Sequence, residues 1–221
     1  SSEYAGGGGL QGKRVAIIGA NNSAHDIAAD LVDQGAKPTM VQRSSTLVVK
    51  QSTIYETLTK PLYSEDAISR GMDTDRADLF ALSMPLRLME KYHPVLWKGI
   101  AERDKAFYDA LESRGFKLDF AEDGSGMLLK YLRSASGYYI DVGASQLIID
   151  GAINIKSGSE IQAIESQGIR FVDGTFLEAD MIIYATGFGS MEEWAARLID
   201  EDTARRVGRC WGYGSGFKGD P

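Results

Sequence analysis

An α/β fold built on a parallel sheet is predicted by three features of this sequence. Arg14-Val15-Ala16-Ile17-Ile18 is a nearly continuous apolar run closing on Gly19, the pattern of a strand covered on both faces. Met181-Ile182-Ile183-Tyr184-Ala185 repeats that pattern far along the chain and ends at Thr186-Gly187-Phe188. After the first run, Ala24, Ile27, Ala28, Leu31 and Val32 fall on one helical face, followed by the short apolar stretch Thr39-Met40-Val41. Strand, helix and strand within about 30 residues form a βαβ unit, whose crossover is right-handed.

The elements follow in order. Residues 1–12 carry Gly6-Gly7-Gly8-Gly9 and read as a flexible lead-in. The first helix stops at Gly35, which is suited to the left-handed residue that ends helices. From about 52 to 115 the pattern is helical, punctuated by Pro85 and Pro94, and reads as an insertion or covering layer. Within it Val95, Ile100, Phe107 and Leu111 predict one amphipathic helix ending at Gly115. Tyr138-Tyr139-Ile140, Ile153-Asn154-Ile155 and Ile161 to Ile164 are short strand candidates. Gly168 to Val172, Asp173-Gly174 and Thr175 to Glu178 predict a hairpin turning on Asp-Gly, hence a small antiparallel β element. A helix around Met191 to Leu198 follows, and the last ten residues are rich in glycine. The three tryptophans, Trp97, Trp194 and Trp211, read as core or interface residues.

Composition excludes several function classes. With 43% hydrophobic and 25% charged residues among 221, the chain can bury a core. Lys and Arg total 24 against 31 Asp and Glu, so a general nucleic-acid binder with a basic face is not expected. Cys210 stands alone, which rules out an internal disulfide and points to a reducing, cytoplasmic setting. One cysteine with His25 and His93 cannot build a His/Cys zinc site. No apolar run approaches the roughly 20 residues that span a bilayer, and Ser1-Ser2-Glu3 is no signal peptide.

The chemistry concentrates in the loop Gly19-Ala20-Asn21-Asn22-Ser23-Ala24, which reads G-x-N-x-x-A against the dinucleotide fingerprint G-x-G-x-x-G/A. Gly19 permits the sharp strand-to-helix turn, and Ala24 lets the helix pack close to the sheet. The amides at the helix start, with the Ser23 hydroxyl, would hold a pyrophosphate. Asn21 departs from the rule, and tolerance of left-handed backbone is the property expected to keep the loop working. At the end of the second strand, Gln42-Arg43-Ser44-Ser45 has a cation and hydroxyls where NAD sites carry an acid. Arg43 can pair with a 2′-phosphate through a charge-assisted fork, which favours NADP over NAD. These features define a Rossmann-type NAD(P)-binding domain.

Other signals are rejected. Gly7 to Lys13 fits G-x-x-x-x-G-K, but Arg14 replaces the Ser/Thr and the run precedes a strand instead of following one. Asn21-Asn22-Ser23 is a formal glycosylation sequon without secretory context. His25 and Asp26 in the first helical turn read as structural, not acid–base catalysts. No Tyr-x-x-x-Lys pair occurs.

Gly19 to Leu31, Met40-Val41-Gln42-Arg43-Ser44-Ser45-Thr46 and Ala179 to Phe188 together resemble flavin-containing monooxygenases. That resemblance implies NADP(H) bound by this chain, FAD bound elsewhere in a parent enzyme, and O2 used to oxygenate a small organic substrate. It implies contacts from Gly19, Ala20, Asn21, Asn22, Ser23 and Ala24 to the pyrophosphate, and from Arg43 and Ser44 to the 2′-phosphate. Thr186 and Gly187 belong to its Ala-Thr-Gly signature. Residues 1–12 then read as a linker from an FAD domain, 13–188 as the NADP-binding domain, and 189–221 as a tail leading back, with Trp211-Gly212-Tyr213-Gly214-Ser215-Gly216 in it. The partners implied are the substrate and the FAD domain. The competing expectation is a non-catalytic nucleotide-binding or interaction module on the same fold. A flavin disulfide reductase would need a Cys-x-x-Cys pair, which lone Cys210 cannot supply.

Overall fold

The computed structural model describes residues 1–189 and 191–208; Cys210 and the expected Trp211–Gly216 segment lie outside them. β1 (Arg14–Ile18), α1 (Asn22–Asp33) and β2 (Lys37–Gln42) form the predicted βαβ start. With β5 (Asn154–Ser157) and β9 (Met181–Tyr184) they build a sheet in the order β5-β2-β1-β9, every neighbouring pair parallel. Ile18 stands level with Val41 on one side and Tyr184 on the other, so these strands finish at a common edge.

The apolar run of β1 is explained by cover on both faces. Val15 and Ile17 pack with Ile27 and Leu31 of α1, Met40 and Ile183. Ala16 points the other way, to Val41, Ile169 and Phe171. The last two belong to β7 (Gly168–Phe171), the middle strand of an antiparallel sheet with β6 (Ile161–Glu165) and β8 (Phe176–Glu178). The predicted hairpin therefore roofs the face of the parallel sheet that α1 leaves uncovered. At the end of α1, the Ala36 amide bonds the Leu31 carbonyl and the Gly35 amide bonds Val32, with Gly35 at φ +76. That crossed pair is the Schellman ending the glycine predicted.

The helical stretch runs through α2 (Gln51–Ile54), a π-helical turn over Tyr55–Thr59, α3 (Lys60–Tyr63), α4 (Glu65–Ser69), α5 (Thr74–Leu82), α6 (Leu86–Arg103) and α7 (Lys105–Ser113). One expectation is corrected here. The single helix through Val95, Ile100, Phe107 and Leu111 is two, broken at Asp104. The buried Asp104 carboxylate accepts from the Thr53 hydroxyl (2.6 Å) and Lys50 Nζ (3.1 Å), which a continuous helix would not present to α2. Ile100 and Leu111 are buried, but Val95 is exposed. Pro94 sits inside α6 without ending it.

β3 (Leu47–Lys50) pairs in parallel with β4 (Tyr138–Asp141), and this small sheet is a shared wall. Val48 and Tyr139 face the main core. Leu47, Val49, Tyr138 and Ile140 face a second core with Trp97 and Ile100. α8 (Gly126–Ser134), α9 (Ala144–Asp150), the expected α10 (Met191–Leu198) and α11 (Glu201–Val207) complete the described elements. Trp97 is core, whereas Trp194 on α10 is half exposed. The tetraglycine lead-in is held, not loose: the buried Gly7 donates its amide to Asp30 (2.8 Å), and the Tyr4 hydroxyl donates to the same carboxylate (2.5 Å). Among the described residues no helix is long and apolar enough to cross a membrane.

Candidate functional site

The carboxyl edge of the parallel sheet gathers Gly19–Ala24, Arg43–Ser44 and Thr186–Gly187, the candidate cofactor residues read from sequence. Gly19 follows β1 directly, its amide bonded to the Val41 carbonyl at 3.0 Å. On its other side the Ala185 amide bonds the Ile18 carbonyl at 2.9 Å. Gly19 sits at φ +138, and a Cβ there would overlap the Ala185 carbonyl oxygen. Only glycine satisfies both demands. The first fingerprint residue and the Ala-Thr-Gly signature, far apart in sequence, are thus in contact through backbone.

Ala20 and Ala24 are buried, while Asn22 and Ser23 at the start of α1 are exposed. Asn21 is the N-cap of α1, at φ −105 and ψ −165, with no side-chain capping bond. The left-handed backbone expected of it is corrected: extended geometry suffices, because the chain leaves β1 through the turn at Gly19. The first-turn amides of a helix have no acceptor within it, and the cap side chain here does not take them either. Donors and the positive helix end are therefore directed at one spot, an arrangement suited to an anion.

Arg43 and Ser44 are exposed just past β2, and Arg43 makes no ion pair among the described residues. Beside Ser44 lies a cleft of about 620 Å³ whose walls include Ser45, Asp119, Lys130 and Arg133. Burial works to raise the Asp119 pKa, but bonds from Lys130 (Nζ–Oδ1 2.5 Å), Ser45 and the Ala121 amide outweigh it and hold Asp119 below the ordinary carboxylate range. Thr186 and Gly187 are exposed just past β9, with Gly187 at φ +82. In the order β5-β2-β1-β9, the chain leaves β1 toward β2 on one side while β9 lies on the other. Open α/β sheets bind ligands at such a switch point, outside the carboxyl ends of the strands.

His25 faces inward. Its ring stacks on Tyr139 (centroids 3.8 Å, planes 9° apart) and is fully buried. Burial lowers its pKa to about 4, so the imidazole is neutral near pH 7, as a structural role requires. Asp26 is exposed. Sequence reasoning took His25 as structural but missed Gln42 and Thr46, which complete the support beneath the loop. The one available signal was polar Gln42 directly after the apolar pair Met40-Val41.

No family model matches the chain. It is 29% identical over 217 residues to the indole-3-pyruvate monooxygenase YUCCA4 of Oryza sativa subsp. japonica, covering 96% of this chain and 43% of that protein. The resemblance to flavin-containing monooxygenases holds. Among solved structures, an oxidized steroid monooxygenase bound to NADP superimposes with a TM-score of 0.55 at 17% identity, covering 85% of this chain and 41% of that one. OTEMO in complex with FAD and NADP gives 0.52 at 15% identity, covering 84% and 40%. These structures share the fold, and the chain spans less than half the length of the monooxygenase relatives it matches.

Proposed function

We propose that this chain is the NADP(H)-binding part of a flavin-dependent monooxygenase that uses NADPH, FAD and O2 on a small organic substrate. The observation that carries the reading is the convergence of Gly19–Ala24, Arg43–Ser44 and Thr186–Gly187 at one sheet edge, beside uncapped helix amides. Gly19 and the α1 amides would take the pyrophosphate, and Arg43 with Ser44 the 2′-phosphate. The cleft beside Ser44, about 620 Å³, falls within the range of small-molecule sites. When bound, the nicotinamide supplies hydride chemistry, and the protein's part is to orient it. FAD belongs to another domain of the parent in this reading, since no second strand–G-x-G-x-x-G–helix unit occurs in the sequence. Residues 13–188 form the NADP domain, 1–12 and 189–221 its connections to the FAD domain, and the setting is cytoplasmic. The YUCCA4 relative, named as an indole-3-pyruvate monooxygenase, supports the oxidoreductase class for the parent.

Calorimetric titration with NADP+ and NAD+ tests the reading. Charge-assisted hydrogen bonds contribute about 1.5–3 kcal/mol, so NADP+ binds roughly ten- to a hundredfold tighter and Arg43→Ala erases that preference. Equal affinity for both nucleotides, or an Arg43→Ala variant with native NADP+ affinity, overturns the assignment. A non-catalytic nucleotide-binding module would bind alike, and reduction of flavin by NADPH in the full-length parent separates the two.

A further inference from the structure

Asn21 stands where the fingerprint has its second glycine, and its backbone does not need one. An asparagine at a helix N-cap ordinarily turns its side chain to accept a first-turn amide. Asn21 does not. Its Oδ1 instead accepts from the Thr46 hydroxyl at 3.4 Å. Its carbonyl accepts twice from His25, from the backbone amide at 3.1 Å and from ring Nδ1 at 3.0 Å. A carbonyl can only accept, so Nδ1 carries the ring proton.

The support continues inward. Gln42 Nε2 donates to Thr46 Oγ1 (3.4 Å) and to the Lys117 carbonyl (2.9 Å), while the Lys117 amide donates to Gln42 Oε1 (2.7 Å). The Thr46 amide also bonds the Lys117 carbonyl at 3.0 Å. Gln42 and Thr46 are 0% and 2% exposed, so each polar atom must find its partner inside the protein. The donors run one way, from Gln42 to Thr46 to Asn21, and the hydroxyl both accepts and donates.

We propose that Asn21 is a positioning residue of the dinucleotide loop, tied back through Thr46 and Gln42 to the chain leaving the helical insertion at Lys117. The tie deepens the NADP reading and rests on it. It keeps the cap side chain off the α1 amides and leaves them for phosphate. The fingerprint alone says that Asn21→Gly repairs the site; the structure says that it damages it. Glycine would remove the tether, strand the buried Thr46 hydroxyl without its acceptor and loosen the loop.

The test measures binding of NADP+ and of adenosine 2′-monophosphate, which lacks the pyrophosphate. Loss of one hydrogen bond corresponds to about fivefold in affinity. Asn21→Gly and Thr46→Val therefore each weaken NADP+ about fivefold and leave adenosine 2′-monophosphate within about twofold, and Thr46→Ser restores native binding. An Asn21→Gly variant that binds NADP+ as tightly as the native chain, or tighter, overturns the proposal. So does an equal loss of both ligands, which would make the tie a property of the fold. Asn21 is only partly buried, so its variant does not depend on Thr46→Val folding. A native chain that binds neither ligand overturns the NADP reading itself.

Discussion

His25 is a core residue placed one turn into α1, the helix that follows the Gly19–Ala24 loop. Its ring is held between Tyr139 and Phe116, and burial is the main cause of its lowered pKa, about 4. The unfolded chain has an ordinary histidine near 6.5, so between pH 6.5 and 4 the unfolded state binds the extra proton. Stability is thus full above pH 6.5 and falls as pH drops toward 4, by about 3 kcal/mol. Urea unfolding across that window checks this, and His25→Gln flattens the slope. At this scale the sequence was legible where geometry is local: Gly19 and Gly187 both take the positive φ that their residue type allows. The hydrogen bond of Asn21 to Thr46 was not legible, because Thr46 comes from another segment brought in by β2.

Elements were legible when their signal was long or punctuated. β1, α1, β2, the Asp-Gly hairpin and β9 carry it within themselves. β3 is a four-residue strand whose alternation serves two cores at once, so its period reads as no single face. α6 and α7 part at Asp104 because Thr53 and Lys50 hold its carboxylate, a tertiary cause. The insertion meets α8 at Gly126, at φ +76, where a Cβ would overlap the buried Trp97 indole. Gly126→Ala should cost roughly 2–4 kcal/mol through strain and overpacking. Because Trp97 packs in the second core and not under the Gly19–Ala24 loop, the proposed NADP+ binding of the folded variant stays within about twofold of native. Urea denaturation and titration of the same sample measure both.

Across the molecule, stability is unevenly distributed. β1 and β2 lie between two packed layers, whereas from Lys60 to Leu82 only Ala67 and Ala77 are buried. Hydrogen exchange should find the β1 and β2 amides most protected and those of α3, α4 and α5 fastest, since local opening there exposes little apolar surface. Uniform protection across both regions would contradict this layering.

The sequence by itself determined the parallel α/β class, the βαβ start, the hairpin and the identity of the loop residues, since hydrophobic period and glycine punctuation are local properties. Only the tertiary structure decided that the hairpin roofs the sheet, that Gly19 meets Ala185, that the insertion helix breaks at Asp104 and that Asn21 is tied to Thr46. Each of these joins residues distant in the chain, and their hydrogen bonds and close packing exist only once the sheet has brought those segments together.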